Sequence, residues 1–277
     1  MSYLELKGVS KGFMRSSPAG NQFLPVLRDI SLSIEEHEFV CIVGRSGSGK
    51  STLISLIAGL IAPDQGEISL EGKPIEGPGP ERGIVFQNYS LLPWMTVFEN
   101  VYLAVDAVAP KLSARAKQDR TTHYVNLVNL GDAMKKRPRE LSGGMRQRVA
   151  VARGLAMEPK VLLMDEPFSA LDALTRATLQ EELARIWMET KKTVVMITND
   201  IDEAILLADS IYPLTSGPGA TLGTAIKVES PHPRSHRQIG HELLYQNLRQ
   251  EMLAFLLGKR NGSQTPVVAA NVETNLH

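Results

Sequence analysis

The chain has 277 residues, of which 43% are hydrophobic, and its 30 basic residues balance 30 acidic ones. This length allows one large α/β domain, or such a domain with an inserted lobe and a tail. The zero net charge argues against a nucleic-acid partner or a polybasic membrane patch, and the single Cys41 suits a reducing compartment. No uncharged apolar run reaches the roughly 18–20 residues that cross a bilayer, and residues 1–6 lack the features of a signal peptide. Any role at a membrane is therefore expected to depend on another chain.

The first third of the chain is predicted to be mostly β-structure. Residues 14–25 are rich in Ser, Pro, Gly and Asn and predict an exposed loop, with Phe13 just before it. Short alternating or wholly apolar runs predict the strands. These predicted strands lie at 3–9, 26–34, 38–43, 66–72 and 83–87.

The run from Gly44 to Thr52 fits the pattern G-x-x-x-x-G-K-[ST] of loops that cradle nucleotide phosphates. It follows a buried strand and opens an apolar helix that ends before Pro63. Its glycines let successive backbone N–H groups face an anion, and the helix N-terminus adds partial positive charge. Lys50 would reach the β- and γ-phosphates, and Ser51 would ligate Mg²⁺. The candidate nucleotide-binding residues here are Gly44, Arg45, Ser46, Gly47, Ser48, Gly49, Lys50, Ser51 and Thr52.

From about residue 88 to 157 the periodicity becomes helical. Ser113 is predicted to cap a helix that reaches Leu130, with Gly131 as its C-terminal glycine, and Ser142 to cap a helix that ends near Met157. The later elements are predicted as core strands at 161–166 and 193–198, helices at 173–190 and 200–208, an amphipathic helix at 235–257 and a disordered tail at 261–277.

Polar residues at the ends of two core strands predict the catalytic groups. Asp165 ends an apolar run and would hold the Mg²⁺ shell, while Glu166 would orient or deprotonate the attacking water. Gln87 also ends a short predicted strand and could reach both the Mg²⁺ and the water. These residues together predict a site that binds and hydrolyses a Mg²⁺-bound nucleotide.

A second anion site is predicted at Ser142, Gly143 and Gly144, where a serine and two glycines begin a helix. It lies more than 90 residues from the first loop, which is hard to fit into one phosphate pocket. A head-to-tail dimer would solve this, because the Ser142 loop of each chain could then cap the γ-phosphate held by the other.

Taken together, these motifs resemble the nucleotide-binding subunits of ABC transporters over residues 3–228. The resemblance makes Phe13 the adenine-stacking aromatic residue, Gln87 the Q-loop, 141–145 the signature and 169–172 the D-loop. It implies ATP and Mg²⁺ as cofactors, and an α/β P-loop NTPase fold of ABC type: a mixed core sheet, an antiparallel β subdomain, an inserted α-helical subdomain and a C-terminal helix. The implied domains are the core at 1–87 and 158–228, the helical subdomain at 88–157, the C-terminal extension at 229–260 and the tail at 261–277.

Two further stretches narrow the resemblance to particular groups of importers within this family. Residues 89–101, which include Trp94 and Met95, resemble the nitrate, sulfonate and taurine importer group, where this surface helps to receive the coupling helix of the membrane subunit. Leu214, residues 217–221 and the C-terminal helix resemble the nitrate, nitrite and bicarbonate uptake ATPases. Nitrate or nitrite is the favoured solute, with sulfonate, taurine, bicarbonate and cyanate as alternatives. The implied partners are a second ABC ATPase subunit, transmembrane permease subunits and, indirectly, a periplasmic or lipid-anchored solute-binding protein, which places the chain on the cytoplasmic face of the membrane.

Two residues depart from the family pattern. Met145 stands where the signature commonly has Gln, and Asn199 stands where the family usually has the switch His before Asp200. An asparagine amide can hydrogen-bond a phosphate oxygen, but it neither titrates nor carries charge. We hypothesise that Asn199 slows hydrolysis in this chain's own site, so that a heterodimer with a His-bearing ATPase is required. The alternatives are that Glu166 suffices in a homodimer, that the chain is a regulatory subunit that barely hydrolyses ATP, or that it is a soluble ABC ATPase of DNA repair or translation.

Overall fold

The structure is a computed structural model that describes residues 2–17, 20–235 and 243–257. Its strands are β1 (Leu4–Ser17), β2 (Gly20–Ile34), β3 (Phe39–Gly44), β4 (Gln65–Leu70), β5 (Lys73–Pro74), β6 (Arg82–Val85), β7 (Val161–Asp165), β8 (Thr193–Thr198), β9 (Ser210–Leu214) and β10 (Ile226–Lys227). Its α-helices are α1 (Lys50–Ile57), α2 (Val97–Val108), α3 (Ala114–Leu127), α4 (Gly143–Ala156), α5 (Ala173–Thr190), α6 (Ile201–Leu207) and α7 (Leu243–Leu256). Two 3₁₀ turns, Gly131–Ala133 and Pro138–Glu140, lie between α3 and α4.

The strands form two sheets. The larger sheet has the order β10-β9-β3-β8-β7-β6, in which the five strands from β9 to β6 are parallel and β10 is an antiparallel edge. The smaller sheet has the order β2-β1-β4-β5 and is antiparallel. These are the mixed core sheet and the antiparallel β subdomain that the sequence predicts.

Strand β3 shows why the larger sheet is apolar on both faces. All six residues of β3 are buried, as expected for a parallel strand covered on each side. Phe39, Cys41 and Val43 face a core shared with helices α2 to α7, whereas Val40 and Ile42 face a core shared with α1 and the smaller sheet. The sheet therefore separates two hydrophobic cores and holds the carboxyl ends of its parallel strands along one edge.

The prediction of an exposed loop at 14–25, just after Phe13, is wrong. Strand β1 continues through Phe13 to Ser17 and pairs with β2, with Phe13 opposite Leu24. Residues 13–16 and 20–25 are all exposed. Because neither face of this ribbon is buried, the hydrophobic alternation that identifies strands is missing.

The predicted end of the helix after Ser113 is also wrong. Ser113 does cap α3, accepting a hydrogen bond from the Ala116 amide, but the helix ends at Leu127. Asn129 adopts the left-handed conformation, with φ of 56°, and so takes the position expected of Gly131. Asn is the residue besides glycine that most readily adopts this conformation at a helix end.

The helices α2, α3 and α4 pack on one another as a lobe beside β6. Helix α7 packs against α6 and β9. Of the helix predicted at 235–257, residues 236–242 lie outside the described residues, as does the tail predicted to be disordered at 261–277. Within the described ranges, no helix is long and apolar enough to cross a membrane.

Candidate nucleotide-binding site

The phosphate loop joins β3 to α1 at the carboxyl edge of the larger sheet. Gly47 and Gly49 have φ of 78° and 98°, values that glycine adopts without strain. A Cβ at Gly44 would lie 2.7 Å from Ser48 Oγ, so the loop closes tightly only around glycine. Arg45, Ser46 and Gly47 are exposed. The predicted strand–loop–helix context is therefore present.

Lys50 is the buried charge of the loop, with 4% of its surface exposed. Its Nζ donates to the carbonyl oxygens of Gly44 at 2.9 Å and Arg45 at 3.2 Å. It also forms a salt bridge with Glu166 Oε1 at 3.0 Å. The ammonium group is thus fixed between the loop and the candidate general base.

Asp165 and Ser51 lie together, as a shared cation site requires. Ser51 Oγ donates to Asp165 Oδ1 at 3.1 Å. Burial raises the pKa of Asp165 above its usual value, the Glu166 charge raises it further, and the Ser51 hydrogen bond opposes the shift. A divalent cation at this point would favour the charged carboxylate.

These groups fit Mg²⁺ and a nucleotide. The Ser51 hydroxyl and the Asp165 carboxylate are the hard oxygen donors that Mg²⁺ prefers. Ser48 Oγ is buried in the loop and has no hydrogen-bond partner among the described residues, as expected of a group that serves a ligand.

Glu166 and Gln87 are joined through Ser169. Gln87 Nε2 donates to Ser169 Oγ at 3.0 Å, and Ser169 Oγ donates to the carbonyl oxygen of Glu166 at 3.0 Å. Glu166 has φ of 43°, a sparsely populated conformation for a residue other than glycine, and its amide donates to Ile197 O at 3.0 Å. Such local strain is typical of functional sites. Gln87 is therefore held in place by the D-loop serine.

Asn199 directly follows β8, which pairs with β7, the strand that leads into Glu166. It is exposed, and no described residue hydrogen-bonds its side chain. A small cavity of about 20 Å³ is lined by Glu166, Asn199 and Glu203, together with Phe168, Ser169, Arg176, Thr198 and Asp200. The structure therefore brings Asn199 to the side of the site that holds Glu166.

Phe13 lies near the phosphate loop but not against it. A cavity of about 380 Å³ is lined by Leu24, Pro25, Val26, Ser46, Gly47, Ser48 and residues 216–218. Phe13 pairs with Leu24 on the neighbouring strand and is 44% exposed, but it is not among the lining residues. The adenine-stacking role of Phe13 remains a prediction.

The Ser142 loop lies apart from the phosphate loop in the single chain. Ser142 caps α4 by accepting a hydrogen bond from the Met145 amide at 3.2 Å. The cavity beside it, about 290 Å³, is lined by Ser142, Gly144, Met145, Arg148, Leu174, Thr175, Thr178 and Leu179. None of these residues lines the cavity beside Ser46. The described chain therefore does not combine the two predicted anion sites.

Two residues at the site were missed by the sequence analysis. Glu203 is buried in the first turn of α6, where an acidic residue is usually an exposed partner of the helix dipole. Arg176 lies 3.7 Å from Asp200 Oδ2 and donates to Leu171 O. Only Arg176 could have been found from the sequence, because it lies four residues after the D-loop.

The fold and this arrangement define a class of protein, an ABC-type P-loop ATPase. The ABC transporter family model matches residues 27–169, and the chain belongs to this family. Among solved structures, an ATP-binding cassette determined as a dimer in a post-hydrolysis state with ADP and Pi has a TM-score of 0.70 and 30% identity, covering 82% of this chain and 100% of that one. The predicted family and fold are confirmed.

Several similar proteins are named as parts of nitrate or bicarbonate transport systems. The nitrate import ATP-binding protein NrtD of Synechococcus elongatus is 46% identical over 90% of this chain and 93% of its own length. The nitrate transport protein NasD of Klebsiella oxytoca is 48% identical over 93% and 97% of the two chains. The bicarbonate transport ATP-binding protein CmpC of Synechococcus elongatus is 50% identical, but the match covers 92% of this chain and 38% of CmpC. The chain therefore spans less than half of CmpC and nearly all of NrtD and NasD.

Proposed function

We propose that this chain is the ATP-binding and ATP-hydrolysing subunit of an importer for a small anion, with nitrate or nitrite as the favoured solute. The observation that carries the proposal is the grouping of Lys50, Ser51, Asp165 and Glu166 at one sheet edge. Similarity to NrtD and NasD over nearly their whole length supports the transport role.

The chemistry follows from these positions. Lys50 and the loop amides bind the β- and γ-phosphates of ATP, and Phe13 stacks on the adenine. Ser51, Asp165 and Gln87 would hold Mg²⁺, which neutralises charge on the phosphate oxygens when bound. Glu166 accepts the proton of the attacking water, and Asn199 donates a hydrogen bond to a phosphate oxygen.

The Ser142 loop acts on the nucleotide of a second ATPase subunit. Its separation from the phosphate loop within one chain supports this role, as does the dimer formed by the similar cassette. Because Asn199 replaces the usual His, the site on this chain turns over slowly, and the site completed by its Ser142 loop carries most hydrolysis. The functional unit is then a heterodimer with a His-bearing ATPase.

Coupling to transport requires permease subunits in the membrane. A groove of about 830 Å³ lies between the core and the helical lobe, lined by Pro78–Pro80, Arg82, Ile84, Phe86, Ser90, Ala104, Ala107, Val108, Pro110, Arg153, Gly154 and Met157. Trp94, which is 65% exposed, does not line the groove but lies four residues after Ser90, which does. We assign the groove and the 87–101 surface to the permease, which places the chain on the cytoplasmic face of the membrane and connects it to a solute-binding protein only indirectly.

Bicarbonate is the second candidate solute, because CmpC is 50% identical and CmpD of Synechococcus elongatus is 45% identical over 93% of this chain and 91% of its own length. The solute is selected by other subunits, so uptake measurements decide between the candidates. Deletion of the gene for this chain in its own organism should abolish uptake of labelled nitrate, and the parent chain should restore it. Lys50→Ala should not restore it. Loss of labelled bicarbonate uptake with intact nitrate uptake would assign bicarbonate, and loss of neither would contradict both solute assignments.

A further inference from the structure

Helix α6 directly follows the switch position and fixes its geometry. Asp200 caps this helix by accepting hydrogen bonds from the amides of Asp202 at 2.9 Å and Glu203 at 3.2 Å. Asn199 immediately precedes this cap. The first turn of α6 is therefore joined directly to the segment that carries Asn199.

The chain beyond β10 holds the far end of α6. Arg234 is buried, with 5% of its surface exposed. Its guanidinium donates to the carbonyl oxygens of Ile205 at 2.9 Å and Ala208 at 2.6 Å, at the C-terminal end of α6. These bonds satisfy carbonyl groups that a helix end leaves without partners.

Helix α7 holds the first turn of α6. Arg249 Nε donates to Asp202 Oδ1 at 2.8 Å. Burial, and next a hydrogen bond with Asp202, raise the pKa of Tyr245 to about 12. On the same helix, Leu248 and Met252 are buried in the hydrophobic core. Arg249 of α7 thus contacts a carboxylate three residues after Asn199.

We propose that α7 is a positioning element for ATP hydrolysis, in which Arg249 holds Asp202 and thereby fixes Asn199 beside Glu166. The proposal rests on the ATPase function proposed above. Arg249 and Asp202 are both about half exposed, at 49% and 44% of their side-chain surface. Such ion pairs contribute little to global stability, so the contact is expected to affect the switch segment more than the folding of the chain.

The test compares the full-length chain with Arg249→Ala, Asp202→Ala and the double variant. Gln250→Ala is the matched control, since Gln250 is an exposed neighbour on α7. We expect Arg249→Ala to speed amide hydrogen exchange in residues 199–203 of the nucleotide-free chain, and to lower kcat for ATP about two- to five-fold, the range of an exposed ion pair. KM should stay unchanged, Arg249→Lys should recover part of the loss, and Gln250→Ala should match the parent.

The double variant decides whether the two residues act together. If they do, its exchange rates and kcat will be no further from the parent than those of the worse single variant. Unchanged exchange and kcat in Arg249→Ala, or additive losses in the double variant, would overturn the proposal. A parent chain without ATP turnover would contradict the proposed function alone, because the exchange measurement needs no nucleotide and still tests the role of α7.

Discussion

At the scale of single residues, the site depends on charges held away from water. Lys50 is buried and is balanced by Glu166. Glu203 is 4% exposed and receives a hydrogen bond from Gln180 Nε2 at 2.8 Å. Burial, opposed by hydrogen bonds from Thr198 and Gln180, raises the pKa of Glu203 to about 7. An ionisable group therefore lies directly behind the switch segment.

This raised pKa predicts that the chain loses stability as the pH rises. Between the unfolded value near 4.5 and the folded value of about 7, the folded state binds the proton and the unfolded state does not, so the free energy of unfolding falls with pH. The expected loss between pH 5.5 and pH 8 is about 2 kcal/mol, because the folded pKa of about 7 lies about 1.5 units above the lower pH and each pKa unit corresponds to about 1.4 kcal/mol. Glu203→Gln should remove it. Urea unfolding at pH 5.5 and pH 8 measures the difference.

Glu158→Gln is the control for this experiment, because Glu158 is an exposed carboxylate paired with Arg120. Its dependence on pH should match that of the parent. If the Glu203→Gln variant lost as much stability between the two pH values as the parent, Glu203 would not be the titrating group. Asp200 and Arg176 also face this carboxyl group, with opposite effects on its pKa.

The sequence identifies residues of the site when the chemistry demands a residue type at a fixed spacing. Lys50, Ser51, Asp165 and Glu166 belong to such patterns, and the structure brings them together. The burial of Glu203 beside the switch segment could not be predicted, because it results from the packing of α5 against α6 rather than from any local pattern.

At the scale of elements, buried periodic segments could be predicted well. The structure has α5 at Ala173–Thr190 and β8 at Thr193–Thr198, the ranges that the sequence indicates. Helix α5 buries side chains at helical spacing, and β8 is a wholly buried apolar run, so both are recognisable in the sequence. The exposed ribbon of β1 and β2 beyond Ser10 could not be predicted, because it is stabilised by backbone pairing rather than by a buried face.

The start of α4 is packed closely enough to require glycine. A Cβ at Gly144 would lie 2.7 Å from Thr175 Cγ2 on α5. Gly144→Ala should therefore lower the free energy of unfolding by about 1–3 kcal/mol, the usual cost of overpacking. Thr175→Ser in the same chain removes the clashing methyl group and should restore most of the loss. Denaturant unfolding measures both effects.

Gly77→Ala is the matched control, since no atom lies within 4 Å of a Cβ built at Gly77. It should change stability little. If Gly144→Ala were as stable as Gly77→Ala, or if Thr175→Ser gave no recovery, the contact between α4 and α5 would not be what requires glycine at this position.

At the scale of the whole molecule, the proposed permease surface at 87–101 lies apart from the nucleotide site. Trp94 is 65% exposed and lies outside the nucleotide site. Trp94→Ala should therefore lower labelled anion uptake in cells at least ten-fold, as expected for an aromatic residue at the centre of an interface. The basal ATP turnover of the isolated chain should stay unchanged.

Leu112→Ala is the control, because Leu112 is also exposed, at 40%, and lies outside the 87–101 surface. It should leave uptake intact. Equal loss of uptake in both variants would mean that general destabilisation, rather than the proposed permease contact, explains the effect of Trp94→Ala.

The account of the whole assembly depends on Asn199. A site with Lys50, Asp165 and Glu166 in place but no switch His is expected to bind ATP and hydrolyse it slowly. Loss of one preorganised transition-state contact typically costs about 10²–10³ in rate. The proposed pairing with a second, different ATPase subunit rests on this asymmetry.

The most direct test is the ATP turnover of the purified chain beside Asn199→His, with Glu166→Gln introduced into both. We predict slow turnover by the parent, a rise of about 100-fold in Asn199→His, and loss of turnover whenever Glu166 is replaced. Brisk turnover by the parent that the histidine does not change would mean that Asn199 is tolerated and that a homodimer suffices. Turnover that survives Glu166→Gln would contradict the assignment of hydrolysis to this site.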